Sequence, residues 1–472
     1  MNDYSILQPL LLQAAGVLLV AFYQRHNVPA HVNLLISSAF VTVPVFWLTS
    51  LDDVGMLFLF DICVPLVMFR ELWVHGFRFP RRAVTITVVV FLVPFLSFPL
   101  SYAFLDSSYF AFHEVLTFLF LYRALLICCA VAILMSVVNK MPLDGIAKLA
   151  GWQSILLLAW GALQYLGGVD LVVYERLKDV ENVVDLKLSG EQQILFGFGF
   201  LGLFRGAVPQ MVVVTLFWWM LLIERNKGSH WQGNWIFPAM ALGAICVLGT
   251  LSRSGLIAVA VAYAYCLVTL SKRRILAIVV VAMTGLLGGF FLASSPVIEL
   301  ASELFLDRFD ADQLMGQSGS GVTRIQSALA LFGDLADDPW RWLAGLGGFN
   351  PIAAHDRYGV YGMHGDFLDV IARHGLIVGL IMSAVIFSFF LYGLKGLFGG
   401  SDKEKQLARA VVVLALGFGL LGLTQGVLMF SGAAGYLASA HSWMAIGVAV
   451  AMREKLDRKR KDLFRQKGFP YA

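Results

Sequence analysis

Arg253 is the residue of this sequence whose type and surroundings are best suited to binding an anion. It stands in Leu251-Ser-Arg-Ser-Gly255, a short turn between two strongly apolar runs. A guanidinium offers a planar fork of donors that matches phosphate and carboxylate oxygens, and it stays charged when partly buried. A helix that begins here adds backbone donors and the positive end of its dipole. The position predicts an anion site, with interfacial anchoring as the alternative.

Five arginines and no lysine occur between residues 294 and 375. One of them, Arg324, opens an apolar stretch with helical character, Arg324-Ile-Gln-Ser-Ala-Leu-Ala-Leu-Phe, after the flexible Gly316-Gln-Ser-Gly-Ser-Gly321. A loop of this length is unusual unless it is functional. The arginines at 308, 341 and 357 could equally be solvated charges paired with nearby aspartates, so the sequence leaves their role open.

His364 is the candidate for proton transfer, because imidazole titrates near neutral pH. It lies in Tyr361-Gly-Met-His-Gly-Asp366, where the loop runs into the next apolar segment. Asp366 could orient the ring or bind a polar ligand. The alternative is an ordinary surface histidine. A metal site that combines His364 and Asp366 with His355 and Asp356 lacks recognisable ligand spacing, so no metal is predicted.

The composition indicates that membrane helices position these residues. Hydrophobic residues make up 59% of the 472 and charged residues 14%, whereas a soluble domain has roughly 45–50% and about 25%. The apolar runs approach the roughly 20 residues that a helix needs to cross a bilayer, and a backbone in hydrocarbon must be helical. We predict an all-α polytopic membrane protein with about 13 transmembrane helices (12–14) and one large, partly helical outer loop. The predicted spans are 5–22, 32–50, 54–69, 83–103, 115–136, 149–167, 207–223, 235–251, 255–270, 275–293, 376–394, 410–430 and 436–452.

The cations predict the orientation of these helices. Alternate connections and the C-terminal segment carry 24 of the 35 lysines and arginines, and such clusters mark the cytoplasmic side. The N-terminus is then outside, on an uncleaved first helix, and the C-terminus inside. Within the spans, Asp61 and Arg123 are expensive in lipid and could pair. The predicted divisions are helices 1–10 at 1–293 with a smaller outer loop at 168–206, a large periplasmic loop at 294–375, helices 11–13 at 376–452, and a basic cytoplasmic tail at 453–472.

Three motifs in this topology resemble those of the O-antigen ligase and O-antigen polymerase superfamily. They are Leu-Ser-Arg253-Ser-Gly-Leu at an outer helix start, the helix-borne Arg324, and Met-His364-Gly-Asp-Phe-Leu-(six residues)-Gly375-Leu-Ile. The resemblance implies a C-type membrane glycosyltransferase that needs no metal and no cofactor and takes a glycan from undecaprenyl diphosphate at the outer leaflet. It also implies that Arg253 and Arg324, with Arg205 as a weaker addition, hold the donor diphosphate. His364 would act on the acceptor hydroxyl, with inversion at the anomeric carbon, while Asp366 and Tyr361 would bind the acceptor or orient the base.

The acceptor distinguishes the members of this superfamily. Ligases transfer the glycan to lipid A-core, and polymerases transfer the growing chain to another lipid-linked repeat. Ligases typically have Asn, Ser or Gln after the histidine and Leu four residues after the arginine, whereas Gly365 and Ala328 stand at these positions here. The sequence therefore favours a polymerase of O-antigen or a related surface polysaccharide in the bacterial inner membrane, with its active site facing the periplasm. The alternatives are an O-antigen ligase, a lipid-glycan transporter and a non-catalytic scaffold.

The expected partners follow from the same resemblance. They are the undecaprenyl-diphosphate-linked glycan, an acceptor glycan (a lipid-linked repeat, or lipid A-core for a ligase) and membrane lipid. A chain-length regulator or a flippase is a candidate protein partner, and no nucleic acid is expected.

Overall fold

The structure is a computed structural model of the 472-residue chain. It describes residues 4–42, 45–47, 56–76, 80–88, 114–141, 143–167, 207–223, 235–250, 252–269, 320–337, 342–343, 345, 368, 370–371, 374–398, 400–423, 428 and 433–466.

Thirteen helices and one two-stranded pair make up the regular structure of these residues. The helices are α1 (Tyr4–Tyr23), α2 (Ala30–Ala39), α3 (Leu59–His75), α4 (Arg81–Thr87), α5 (Glu114–Lys140), α6 (Leu143–Gly167), α7 (Ala207–Leu222), α8 (Ile236–Thr250), α9 (Arg253–Thr269), α10 (Ser320–Asp337), α11 (Leu376–Leu394), α12 (Asp402–Gly422) and α13 (Ala433–Gln466). The strands are β1 (Phe46–Trp47) and β2 (Met56–Leu57), which pair antiparallel.

The described helices are those of a helical membrane protein. Three of them contain segments long and apolar enough to cross a bilayer, namely Leu121–Lys140, Leu376–Leu394 and Asp402–Gly422, and four shorter apolar helices accompany them. Large apolar side chains project from several helices, among them Trp73 of α3 (81% exposed). Such surfaces suit lipid tails. A membrane protein is thereby confirmed, and the count of thirteen spans stays a prediction.

The second predicted span, 32–50, is wrong in its C-terminal half, because α2 ends at Ala39 and Phe46–Trp47 form the strand β1. The groups released from the helix find side-chain partners. The Thr42 N–H donates to Gln13 Oε1 at 2.9 Å, and the Gln13 amide donates to Thr42 Oγ1 at 2.9 Å. His441 Nε2 lies 2.9 Å from the Ala39 carbonyl oxygen. Irregular backbone is tolerated at membrane depth where protein groups satisfy it in this way.

Two helices extend beyond their predicted apolar limits into polar sequence. α12 begins at Asp402 rather than at 410, capped by Ser401: its N–H donates to Glu404 Oε2 at 2.7 Å, and the Glu404 N–H donates to Ser401 Oγ at 3.4 Å. This reciprocal capping box stabilises a first turn of charged residues. α13 continues past 452 to Gln466, so much of the segment predicted as a basic tail is helical.

The helical extension of α13 is fixed to its neighbours. The buried Arg453 forms ion pairs with Glu404 of α12 at 3.2 Å and Asp457 at 2.9 Å, and Tyr392 of α11 donates to Asp457 at 2.9 Å. Lys455 donates to the carbonyls of Val138 and Met141 at 3.0 and 2.6 Å and so caps the end of α5. A cation at this end also complements the helix dipole. These contacts join four helices.

α7 lies at the centre of the described helices, with every residue from Ala207 to Leu222 buried, and it packs against α6, α8, α9, α12 and α13. Small residues allow the close approach. A Cβ on Gly417 of α12 would lie 2.5 Å from both methyl groups of Val213. The Gln210 amide donates to Ser442 Oγ of α13 at 2.7 Å. Small residues and interhelical hydrogen bonds are the usual means of association in membranes.

Asp61 and Arg123 interact, as the sequence suggested. Both side chains are buried, and the carboxylate interacts electrostatically with the guanidinium. The Phe58 N–H donates to Asp61 Oδ2 at 2.8 Å, and the Arg123 guanidinium carbon lies 5.0 Å from the centre of the Tyr436 ring. Because a buried charge needs such partners, the group joins α3, α5 and α13.

Candidate active site

The start of α9 has the structure that the sequence predicted. α8 ends at Thr250 and α9 begins at Arg253. Ser252 caps α9: the Gly255 N–H donates to Ser252 Oγ at 3.2 Å, and the Leu256 N–H donates to the Ser252 carbonyl at 2.8 Å. A serine in this position satisfies one of the unpaired donors of the first turn. Arg253 is therefore the first residue of a capped helix, where the dipole and the remaining N–H groups favour an anion.

Helical spacing places Arg253 on the exposed face of α9. Positions 4, 7 and 11 residues further along share its face, and Ile257, Ala260 and Ala264 at those positions are all exposed. The opposite face, which includes Ala258 and Ala262, is buried. Position 253 is therefore at the N-terminal end of an exposed apolar stripe formed by Ile257, Ala260 and Ala264. A lipid with a charged headgroup and an apolar tail has this same order of charge and hydrocarbon.

The starts of α7 and α9 are in direct contact. A Cβ on Gly255 would overlap the ring of Pro209, so a glycine is required for this approach. Arg205 stands two positions before the first residue of α7 and lies outside the described residues. The contact brings the beginning of α7, and with it the chain that follows Arg205, to the beginning of the helix that carries Arg253.

Arg324 lies on α10, as expected, in its second turn. Ala328 and Leu331, four and seven residues further on, share its face of the helix. Leu331 is fully buried and Ala328 half-buried, whereas Gln326, Leu329 and Ala330 between them are exposed. The register therefore places Arg324 in line with the covered face of α10 rather than with its exposed face.

Gly375 is the second glycine of the His364 motif, separated from Leu368 by six residues, and it lies directly before α11. Its φ is +86°, a conformation that residues with a side chain rarely adopt. A Cβ here would lie 2.5 Å from the Leu343 carbonyl oxygen and 2.6 Å from that of Trp342. The backbone of Trp342 and Leu343 thus crosses directly over Gly375. The sequence indicated a helix start here but not this crossing, because its partner lies far away along the chain.

The remaining predicted site residues lie outside the described residues. These are Arg205, Tyr361, His364 and Asp366. The structure therefore places the backbones of Arg253 and Arg324 on their helices. Whether the arginines meet His364 stays a prediction. His364 precedes Gly375 by 11 positions in the sequence, so Gly375 is the described residue of the motif that lies nearest α11.

Helices of this length and apolarity, with an arginine at a capped helix start, define a membrane protein with a candidate anion site. Comparison with known families gives the class more closely: residues 238–383 match the family model described as O-antigen ligase. Over these residues the match confirms the resemblance to the O-antigen ligase and polymerase superfamily. No curated protein matches the chain significantly.

The matched segment contains most of the predicted site. It runs from α8 through α9 and α10 into α11, and it includes Arg253, Arg324, His364 and Gly375 but not Arg205. Members of the family are glycosyltransferase-like enzymes that use lipid-linked glycans and acceptor substrates in general. The match therefore supports an O-antigen ligase or polymerase type of activity in general.

Proposed function

We propose that this protein polymerises O-antigen or a related bacterial surface polysaccharide. It transfers an undecaprenyl-diphosphate-linked glycan to a hydroxyl of an acceptor glycan at the periplasmic face of the inner membrane. The observation that carries the proposal is the position of Arg253, the first residue of the capped helix α9, within the matched domain. The sidedness rests on the distribution of lysines and arginines in the sequence.

The donor diphosphate is proposed to bind at the first turn of α9. A guanidinium can bind two phosphate oxygens side by side, and the first-turn N–H groups add neutral donors. The exposed apolar face of α9, which includes Ile257 and Val261, begins at the same turn, and it can contact the polyprenyl tail. The diphosphate would then lie at the N-terminal end of α9 and the tail along the apolar residues that follow.

Arg324 is proposed as the second ligand of the diphosphate. Its position on α10 is in register with the buried Leu331, seven residues further on. Fixed cations stabilise the negative charge that develops on the leaving diphosphate, and they do so without a metal ion. Arg205 is proposed as a weaker contributor, because the chain beyond it enters α7 at the contact with α9.

His364 is the proposed base. It takes the proton of the acceptor hydroxyl while the oxygen of that hydroxyl forms a bond to the anomeric carbon of the donor. The bond between that carbon and the diphosphate oxygen breaks, and undecaprenyl diphosphate leaves with the electron pair. Attack opposite the leaving group inverts the anomeric carbon. Asp366 and Tyr361 are proposed to orient the base or the acceptor.

The second candidate function is O-antigen ligase. It is favoured by the description of the matched family model, which is that of a ligase. The polymerase is preferred because Gly365 and Ala328 depart from the ligase pattern. The two functions differ only in the acceptor, so the same donor site serves both.

Reconstitution tests the proposal. Purified protein in nanodiscs is given lipid-linked repeat units with and without lipid A-core, and the products are separated by size. A ladder that forms without core supports the polymerase, whereas transfer that requires core shows a ligase. The Arg324→Lys and His364→Ala variants are run beside the wild type. Full activity in both would refute the proposed site. In cells, unpolymerised lipid-linked repeats that accumulate on the outer face in these variants support the enzyme, whereas repeats that stay on the inner face would point to a transporter.

A further inference from the structure

Gly375 and Trp342 form a joint between the helix that carries Arg324 and the start of α11. Phe332 of α10 contacts the Trp342 ring, with 6.5 Å between ring centres. The carbonyls of Trp342 and Leu343 in turn lie against the Cα of Gly375. Trp342 and Leu343 therefore contact α10 on one side, through the Trp342 ring, and the residue before α11 on the other, through their carbonyls.

The α11 side of this joint is rigidly built. The Gly375 N–H donates to the Ile371 carbonyl at 2.9 Å, and the Gly379 N–H donates to the Gly375 carbonyl at 2.9 Å. Ile371 is fully buried, and a Cβ on Gly379 would lie 2.9 Å from its side chain. The backbone before and after Gly375 is thus hydrogen-bonded and packed. If Trp342 and Leu343 shift away from Gly375, α10 is therefore the element that moves with them.

On the α10 side, the described side chains offer two points of attachment. Leu331 is fully buried, whereas other described residues around it are exposed, including Leu329 at 65% and Gly333, which has no atom within 4 Å of a Cβ built on it. Among the described residues of α10, the buried Leu331 and the contact between Phe332 and Trp342 therefore hold the helix in place. This contact fixes the position of the helix as a whole. Arg324, about two turns before Phe332 on the same helix, is positioned with it.

From these contacts we infer that Gly375 and Trp342 are positioning residues, which set the place of Arg324 on α10 relative to the motif segment that leads into α11. The inference rests on the proposed function, because it assumes that Arg324 acts on the donor. Neither residue touches the substrate in this assignment. They act through the backbone crossing, which has room for a hydrogen but for no side chain at position 375.

Substitutions at the joint are expected to impair turnover more than donor binding. Gly375→Ala forces the Trp342 and Leu343 carbonyls away, and a displacement of about 1 Å at a catalytic group can reduce the rate by about 10²-fold. The KM for the donor should change less than kcat, because Arg253 on α9 does not depend on the joint and the displaced Arg324 acts mainly on the charge that develops on the leaving diphosphate. Trp342→Ala should resemble Gly375→Ala, and Trp342→Phe, which keeps an aromatic ring against Phe332, should restore most of the turnover.

Two glycine substitutions serve as matched controls. Gly333→Ala on α10 and Gly419→Ala on α12 add the same methyl group at positions where nothing lies within 4 Å, and both glycines have an ordinary helical φ. Both controls should keep wild-type turnover. If Gly375→Ala fails to accumulate in the membrane, the two Trp342 variants carry the test by themselves.

The deciding measurement is a double-mutant cycle in the reconstituted transfer assay. If Gly375 acts through Arg324, then Gly375→Ala should reduce turnover by less than about threefold in an Arg324→Lys background, because interactions that share one group are not additive. Spin labels at Leu329→Cys and Ile377→Cys, both exposed, should show a changed distance distribution in Gly375→Ala and an unchanged one in Gly333→Ala. Fully additive effects, or turnover equal to the Gly333→Ala control, would overturn the inference. Normal turnover in Arg324→Lys and His364→Ala would instead overturn the proposed function.

Discussion

Arg253→Lys separates a diphosphate ligand from a simple cation at the membrane surface. The substitution keeps the charge at the first position of α9, and it leaves the Ser252 cap intact because that cap uses the Ser252 hydroxyl and the Gly255 N–H. Any unfavourable interaction between the cation and the positive end of the helix dipole is also the same in both proteins. What the substitution removes is the planar fork that binds two phosphate oxygens together.

The size of the effect follows from the loss of one charge-assisted hydrogen bond. Such a bond contributes about 1.5–3 kcal/mol, and each 1.36 kcal/mol is a factor of about ten in rate. Arg253→Lys should therefore reduce kcat/KM for glycan transfer by about 10- to 150-fold if the bond is retained in the transition state. Since α9 is unchanged, the amount of protein in the membrane and its thermal unfolding should match the wild type.

Arg81→Lys is the matched control, because Arg81, like Arg253, is the first residue of a described helix, here α4, but belongs to a connection predicted to lie inside. The assay is transfer from lipid-linked repeats in nanodiscs over a range of donor concentrations, with equal amounts of each variant. Wild-type kinetics in Arg253→Lys would refute the bidentate site and leave interfacial anchoring as the role of this arginine. An equal loss in Arg81→Lys would show that the effect is not specific to the site.

Three further predictions concern the base, the topology and the buried ion pair. His364→Ala should lower transfer by about 10²–10⁴-fold while donor binding persists, and undiminished transfer would exclude His364 as the base. The wild type should stay active in EDTA, and a loss on chelation that a divalent cation restores would indicate a metal site. An impermeant thiol reagent applied to intact cells should label Ser318→Cys but not Lys461→Cys, and the reverse pattern would invert the topology. Arg123→Ala should destabilise the protein by about 3–5 kcal/mol, because it leaves the Asp61 carboxylate buried without its charge partner. This is measured by unfolding in detergent, and a change below about 1 kcal/mol would show that solvent reaches the carboxylate.

Much of the helical framework could be predicted from the sequence, because a backbone in lipid has no choice but to form its own hydrogen bonds. α11 spans 376–394 as predicted, and α9 begins within two residues of its predicted start. Both have apolar runs with clear polar limits. The helix position of Arg324, in the predicted outer loop, was predictable for another reason, because a stretch of good helix formers surrounds it. The motifs by themselves also indicated the family that the comparison confirms.

Only the tertiary structure decided where helices stop or continue against their hydropathy. α2 ends at Ala39 because Gln13 and His441 supply hydrogen bonds from 29 and 402 positions away, to Thr42 and Ala39 respectively. α13 continues to Gln466 because its polar part forms ion pairs and caps with other helices. Hydropathy measures the affinity of a side chain for lipid and carries no information about such distant partners.

The candidate site divides in the same way. The sequence by itself determined the residue types, since an arginine at a helix start and a histidine in a loop have their chemistry wherever they lie. It also indicated that Arg253 stands at the start of an apolar run. The tertiary structure decided which face of each helix these residues share and why position 375 must be a glycine. Those properties depend on which backbone passes close by, and the crossing of Leu343 over Gly375 joins segments that only folding brings together.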